Sequence, residues 1–454
     1  MIELDPFYLI VDSAEWLPRL LPHGVKLVQL RVKDRDASEL PGEIARARDL
    51  CKAAGAQLII NDYWRLAIDA GCDFVHLGQG DLGEADITAL RRHGVRIGFS
   101  THDDAELERV LPLAPDYVAL GPVWPTLLKQ MPFAPQGLEK VARWKRRIGD
   151  IPLVAIGGIT PARACLALAA GADSACVVTD ILNASDPEAR TREWRAATAP
   201  WRDDPARVAA FAPDHAGARV FASPNHGSRL RPISSLVLHY TGMPTEESAL
   251  ELLCSPIAEV SAHYFVRENG EVLQLVPEAR RAWHAGASFW AGETDLNSAS
   301  IGVEIAHPGH IDPRPYSDAQ IAAVNALARD ICARNNIPPH RVLAHSDIAP
   351  RRKVDPGEFF PWDVLAQNGV GLFVTPDAPD DTAPLARDCA GEKVSALQRS
   401  LAAFGYKIID TGVFDEDTEL AVAAFQRHYR PARVDGRADA STCDVLTRLL
   451  EAQA

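Results

Sequence analysis

Two groups of residues in this chain have types and spacing that suit chemistry. The first follows a series of short apolar runs in the N-terminal half: Gln29-Leu30-Arg31-Val32-Lys33, Asn61-Asp62, His76 to Asp81, Ser100, Gly121-Pro122 with Thr126 and Lys129, Gly157-Gly158, and Thr179. Asp62 and Asp81 offer hard oxygen ligands to one Mg²⁺, an ion that shares its shell with substrate phosphates. Arg31 and Lys33 carry the charge to neutralise a diphosphate. The backbone N–H groups of Gly157-Gly158 suit a phosphate. Each feature also has a plain structural reading. An Asp after a strand is often a helix N-cap, a Gly pair a tight turn, and Lys129 a solvated surface lysine. Their recurrence after successive apolar runs favours a Mg²⁺-dependent site for phosphorylated ligands.

The second group lies further on. Ser235–Thr241 reads as a strand carrying His239, Ser300–Ile305 as a strand carrying Glu304, and Val342–Asp347 as a third strand carrying His345; Lys353-Val354-Asp355-Pro356-Gly357 follows. Two His and one Asp form an N/O donor set that Zn²⁺ accepts, with a fourth position left for water. Glu304 is placed to take that water's proton. Lys353 is placed to stabilise an oxyanion or protonate a leaving amine. Spacing alone does not separate His239 and His345 from His226, His263, His284, His307, His310 and His340. Glu304 reads equally as a base or as half of a buried ion pair.

These residues need elements to hold them. Eight apolar runs, Phe7–Val11, Lys26–Leu30, Gln57–Ile60, Phe74–Leu77, Val95–Phe99, Tyr117–Leu120, Leu153–Ile156 and Ser174–Val178, alternate with helix-like stretches such as Ser38–Ala54 and Asp103–Leu113. That alternation predicts a (β/α)8 TIM barrel over 1–195, whose chemistry belongs at the C-terminal ends of its strands. Prolines at 200, 205, 213, 224 and 232 interrupt 196–232, which reads as a linker over 196–221 and the lead-in to a second domain. An α/β domain with a mixed sheet is expected over 222–375. A Pro- and Asp-rich linker is expected over 376–391. A small three-helix domain should fill 392–454, with Leu397, Leu401 and Phe404 on one helical face, Leu420, Ala424 and Phe425 on another, and Gly405 as a C-cap. The fold class is therefore multidomain α/β.

Composition narrows the partners. Lys plus Arg number 47 against 61 Asp plus Glu, a net charge of −14 that disfavours nucleic acid. No apolar run reaches the roughly 20 residues of a membrane span. The acidic start, Met1 to Pro6, is unlike a secretion signal, so a cytoplasmic protein is expected. Eight scattered cysteines without a C-x-x-C pair read as small buried hydrophobes.

Longer motifs carry resemblances. Q-L-R-x-K, N-D, H-L-G-Q-x-D, G-x-S-T-H, G-P-V-W-P-T and A-I-G-G-I, over residues 6–182, resemble thiamine phosphate synthase. That family joins hydroxymethylpyrimidine diphosphate to thiazole phosphate and releases pyrophosphate. The resemblance implies Mg²⁺ on Asp62 and Asp81, and a pyrimidine diphosphate pocket of Gln29, Arg31, Lys33, Asn61 and Ser100. It implies that Thr126, Lys129, Gly158 and Thr179 lie near the thiazole phosphate and the departing pyrophosphate. Two positions depart from the family's usual pattern: Tyr63 follows Asn-Asp in place of Arg, and Leu128 replaces a hydroxyl residue.

H-Y-T-G, S-A-H-Y, W-H-A-G, N-x-x-S-I-G-V-E-I and A-H-S-D-I-A-P-x-R-K-x-D-P-G, over 222–370, resemble the zinc-dependent N-acetylmuramoyl-L-alanine amidases. The resemblance implies zinc on His239, His345 and Asp355, with Glu304 and Lys353 as the catalytic pair. His263, Tyr264, Trp283, His284 and Asn297 would line the substrate cleft. Residues 397–429 resemble peptidoglycan-binding domains. Together these imply a two-activity chain acting on peptidoglycan or muropeptide fragments and on phosphorylated pyrimidine and thiazole compounds. The alternatives are a barrel that is non-catalytic or thiazole tautomerase-like, and two reading frames joined as one.

Overall fold

The computed structural model describes residues 3–33, 35–126, 134–203, 208, 211–377 and 383–453. Contacts divide the chain into two units, Met1–Ala209 with Cys254–Ile257, and the remainder.

In the first unit the strands β1 (Phe7–Val11), β2 (Leu27–Leu30), β3 (Gln57–Asn61), β4 (Phe74–Leu77), β5 (Arg96–Thr101), β6 (Tyr117–Leu120), β7 (Leu153–Ile156) and β8 (Ser174–Val177) close into a parallel barrel in sequence order. All eight fall on the expected apolar runs. A barrel strand is covered by helices outside and side chains inside, so it reads as a continuous apolar run. Helix entries are fixed by side-chain caps: Asp86, Asp103, Thr160 and Asp186 each accept a backbone N–H in the first turn of the following helix. The interior is filled by Tyr8, Ile10, Leu27, Ile59, Phe74, Tyr117, Val154 and Cys176.

The second unit is built on a six-stranded mixed sheet of β9 (Arg219–Val220), β11 (Ser235–Tyr240), β12 (Tyr264–Val266), β13 (Val272–Gln274), β15 (Ser300–Ile305) and β16 (Val342–Ala344). Their spatial order is β16-β11-β15-β12-β13-β9; β10 (His226–Ser228) and β14 (Arg280–Ala282) form a separate antiparallel pair. β16, β11, β15 and β12 are mutually parallel. The 18-residue helix Asp318–Asn335 covers one face, with Ile321, Val324, Leu327 and Ile331 packed on Leu238, Val303 and Ile305. Within the segment expected as a linker, Ala199–Asp203 is helical and β9 adds to the sheet edge.

Three helices, Glu392–Phe404, Glu416–Tyr429 and Ala440–Gln453, form the C-terminal module. Leu397, Leu401 and Phe404 are buried as expected, and Gly405 ends its helix at φ 143°. In the second helix the buried face is rotated by one residue: Ala421, Val422, Ala424 and Phe425 are inside, while Leu420 is half-buried. The module does not keep a core to itself. Val394, Leu397, Leu401, Phe404 and Phe425 share one apolar core with Val237, Trp290, Leu343 and Ile348 of the sheet domain. All eight cysteines are free.

Candidate functional site

The barrel rim gathers most of the first residue group. Gln29 at the end of β2 turns inward and donates to the Tyr8 hydroxyl at 2.7 Å. Asn61 ends β3 and is buried. Asp62 adopts φ 63°, a left-handed conformation that Asp tolerates better than most residues, and its N–H donates to the His76 carbonyl at 2.9 Å. Lys33 Nζ lies 3.0 Å from Asp62 Oδ2. Asp81 Oδ2 accepts the Gly78 N–H at 2.8 Å. Burial and the neighbouring Asp62 carboxylate raise the Asp81 carboxyl above its ordinary range, against the Gly78 N–H and Lys33. Two crowded carboxylates opening on a rim fit a divalent cation, which would relieve that repulsion.

Beneath the rim runs a chain of hydrogen bonds that motif spacing does not predict. Ser100 Oγ is 2.7 Å from His76 Nε2, His76 Nδ1 is 2.6 Å from the Tyr117 hydroxyl, and Tyr117 reaches Tyr8 at 3.0 Å and so Gln29. Burial pushes His76 down to about 4, so the ring is neutral at physiological pH. The sign of this network in sequence is only a Tyr in each of two apolar runs. Tyr63, where the family usually has Arg, donates its hydroxyl to the Val32 carbonyl at 3.2 Å and braces the segment between Arg31 and Lys33. Arg31 is exposed; Thr126 and Gly158 are half-buried on the loops after β6 and β7, and half-buried Thr179 opens the short helix Thr179–Leu182 after β8. Gly158 has φ 66°, and a Cβ there would meet the Pro125 carbonyl at 2.4 Å, so only glycine lets these two loops approach. Lys129 and Leu128 lie outside the described residues.

In the second unit three adjacent parallel strands bring His239, Glu304 and the segment that begins at His345 to the carboxyl end of the sheet. His239 near the end of β11 pairs in register with Glu304 on β15, and β16 on the other side of β11 ends one residue before His345. Ligands in such sheets bind beyond the carboxyl ends of the strands. His345 is not in a strand, as the sequence suggested, but opens the helix His345–Ile348. The switch occurs because Asp347 Oδ2 accepts the Ala344 N–H at 2.8 Å and caps the turn.

His239 Nδ1, His345 Nδ1 and Asp355 Oδ2 converge, 2.8, 3.2 and 3.0 Å apart pairwise. All three residues are buried. Burial holds His239 at about 4, hence neutral, while the two imidazoles hold the Asp355 carboxyl far below its ordinary range despite burial. Two imidazole nitrogens and an ionised carboxylate at these spacings fit a zinc ion. The opposite ring nitrogens are occupied. His239 Nε2 donates to His284 Nδ1 at 3.0 Å, His284 Nε2 to Ser300 Oγ at 3.2 Å, and Ser300 Oγ to the Leu296 carbonyl at 2.5 Å. His345 Nε2 donates to the Ala285 carbonyl at 3.3 Å. Each bond assigns the proton to Nε2 and leaves the Nδ1 lone pair directed at the centre. Gly302 makes room for this relay, since a Cβ there would lie 2.4 Å from the His284 ring.

Glu304, Lys353 and Trp283 line the same cavity as His345 and Asp355. Glu304 Oε2 is buried without a hydrogen-bond partner. Burial, reinforced by Asp355, raises its carboxyl well above the ordinary range. The remaining expected cleft residues fall elsewhere. Tyr264 lies in the core and donates to Glu278 Oε1 at 2.7 Å, because strand alternation turns it away from His263. His263 is fully buried; the Gly302 N–H donates to its Nδ1 at 3.0 Å and its ring meets His284 edge-on. Asn297 Oδ1 accepts the N–H groups of His284 and Ala285, both at 2.8 Å, and so holds the backbone beneath the relay. The cavity wall also includes Tyr240, Thr241, Met243 and Ser261, which the sequence reading missed.

Residues 7–181 match the family described as thiamine monophosphate synthase, 229–358 the N-acetylmuramoyl-L-alanine amidase family, and 390–446 a putative peptidoglycan binding domain. A thiamine-phosphate synthase of Rhizobium etli is 68% identical over 201 residues, 44% of this chain and 98% of the relative. One from Escherichia coli is 50% identical over 192 residues, 42% of this chain and 88% of the relative. A solved complex of the N-acetylmuramyl-L-alanine amidase AmiD from E. coli with anhydro-N-acetylmuramic acid-L-Ala-D-gamma-Glu-L-Lys is 38% identical, spanning 50% of this chain and 92% of that one, with a TM-score of 0.42.

Proposed function

The chain belongs to the thiamine-phosphate synthase family through its barrel and carries an N-acetylmuramoyl-L-alanine amidase domain and a peptidoglycan-binding domain, and on that premise we propose that it runs two metal-dependent reactions. The observation that carries the second reaction is the convergence of His239, His345 and Asp355 beside Glu304 and Lys353 in one cavity.

In that reaction the amide joining the N-acetylmuramic acid lactyl group to L-alanine is hydrolysed. His239, His345 and Asp355 would hold zinc. When bound, zinc supplies Lewis acidity toward the scissile carbonyl and the attacking water. Glu304, with its buried free oxygen, takes the proton of that water. Lys353 stabilises the charge that develops on the carbonyl oxygen. The proton taken by Glu304 passes to the L-alanine nitrogen as the C–N bond breaks. Asn297 and Ser300 keep His284, and through it His239, in the orientation this requires.

In the barrel, the C–O bond between the pyrimidine methylene and its diphosphate breaks, and the thiazole nitrogen forms the new C–N bond. Asp62 and Asp81 would hold Mg²⁺, which supplies charge to the departing pyrophosphate. Arg31 and Lys33 add to that charge, and Tyr63 steadies the segment between them. Gln29, Asn61 and Ser100 would bind the pyrimidine, and Thr126, Gly158, Thr179 and, by the resemblance alone, Lys129 would bind the thiazole phosphate. Among the described residues, no helix is long and apolar enough to cross a membrane.

The test uses the purified full chain. The expected result is about one zinc per chain, chelator-sensitive release of the stem peptide from an anhydro-muropeptide, and Mg²⁺-dependent pyrophosphate release from the two phosphorylated substrates. Peptide release that survives complete zinc removal would overturn the first reading. Absence of pyrophosphate release with both substrates and Mg²⁺ present would overturn the second.

A further inference from the structure

The helical module matched to peptidoglycan-binding domains reaches into the amidase beside a metal-ligand candidate. Asp347, two residues after His345, is 1% exposed. Its carboxylate has three partners. Oδ2 accepts the Ala344 N–H at 2.8 Å and His428 Nδ1–H at 2.7 Å, and Oδ1 accepts the Tyr406 hydroxyl at 2.6 Å. Ala344 belongs to the sheet domain, whereas Tyr406 and His428 belong to the module. The His428 ring stacks on Trp362 at 3.7 Å, and Tyr406 meets Trp290 edge-on at 5.0 Å, so neither side chain is free to swing.

The segment this carboxylate anchors spans both ends of the proposed centre. His345 opens the short helix, the Lys353 N–H donates to the Ala349 carbonyl, and the Ser346 N–H donates to the Asp355 carbonyl at 3.0 Å. Residues 345–355 are thus one closed loop carrying two ligands and Lys353. On its outer side Ile348 and Ala349 sit in the apolar core shared with Leu397, Leu401 and Phe404, and Arg351 pairs with Glu416 and Asp417. A buried carboxylate with two donors from another module is costly to leave half-satisfied, so its position is fixed by all of them together.

We propose that Tyr406 and His428 are positioning residues of the amidase centre, acting through Asp347 on the His345–Asp355 loop, so that the wall-binding module is also part of the metal site's support. The proposal rests on the reading of His239, His345 and Asp355 as the zinc ligands. Removing a hydrogen bond that orients a ligand lowers metal affinity about 10- to 100-fold.

The experiment compares the full chain with Tyr406→Phe, His428→Ala and His428→Asn. Zinc affinity is read by chelator competition, and the visible spectrum of the Co²⁺-substituted protein reports ligand geometry. Folding is followed by circular dichroism. Tyr406→Phe and His428→Ala, which act on the ligands one step removed through Asp347, are expected to bind zinc about tenfold more weakly, the low end of that range, and to show a changed Co²⁺ spectrum. His428→Asn, which keeps a donor near the Nδ1 position, should recover part of both. A purely structural role lowers the melting temperature and leaves the Co²⁺ spectrum of the folded protein unchanged, and that result overturns the proposal. If His428→Ala does not fold, Tyr406→Phe decides alone, since it removes a single hydroxyl. His345→Ala serves as the separate control: if it binds zinc as the unaltered chain does, the ligand reading fails rather than the positioning argument alone.

Discussion

Glu304 lies between Val303 and Ile305 in β15, and its Oε2 is buried with no partner. In sequence it reads equally as half of an ion pair; among the described residues no hydrogen bond holds that oxygen, and its place in the cavity with Asp355 and Lys353 favours the base. Glu304→Gln keeps the shape and removes the proton acceptor. Its kcat for stem-peptide release is expected to fall by about 10²–10⁴ with zinc content unchanged, measured by turnover and metal analysis on the same preparation. Equal turnover in that variant would reassign the base. On the barrel rim, Asp81→Asn removes one of two crowded carboxylates. Pyrophosphate release should then need about tenfold or more Mg²⁺ for half-maximal rate, read from a Mg²⁺ titration. The ligand and base candidates were legible because each sits in a short, distinctive run of sequence. Tyr264 and Asn297 were not, because which way a side chain points depends on strand alternation and loop packing that no local motif records.

Element boundaries decide where His345 points. A strand continuing through Asp347 would alternate Ala344 and His345 to opposite faces of the sheet; the cap from Asp347 instead turns the chain into a helix at the point where the ligand is needed. A second structural joint ties the sheet to the Asp318–Asn335 helix. Glu278 is 5% exposed and accepts from both Arg334 terminal nitrogens, at 2.7 and 2.8 Å, and from Tyr264. Burial alone would raise its carboxyl, but Arg334, Tyr264 and Asn335 together lower it below its ordinary value. A group lowered on folding adds stability above its unfolded value, about 4.3 for Glu. That contribution is lost as pH falls through the lower folded value. Glu278→Gln should therefore melt at a lower temperature than the unaltered chain at pH 7, with the gap closing below about pH 4, as followed by thermal melts across that range. A gap that stays constant with acid would remove Glu278 from the account.

At the scale of the whole chain, the barrel and the sheet domain each carry their own core and their own site. The C-terminal module does not stand apart in this way, because its helices complete the core that covers Val237, Trp290 and Leu343. Deleting residues 385–454 uncovers several large apolar side chains, each worth about 1.5–3 kcal/mol when buried. Their sum is comparable to the 5–15 kcal/mol that typically holds a domain folded. The truncated chain is expected to lose the cooperative melting transition of its sheet domain, as read by calorimetry; an unchanged transition would show the module to be a tethered appendage. The sequence by itself determined the eight barrel strands, because fully buried parallel strands must be continuous apolar runs. It offered the candidate ligands and rim residues only through the longer motifs, because residue type and spacing alone leave the histidines indistinguishable. Only the tertiary structure decided the relay from His239 through His284 to Ser300, the buried chain from Gln29 to Ser100, and the grip of Tyr406 and His428 on Asp347. Those contacts join residues up to 109 positions apart, and no periodicity or motif encodes a hydrogen bond between partners that only folding brings together.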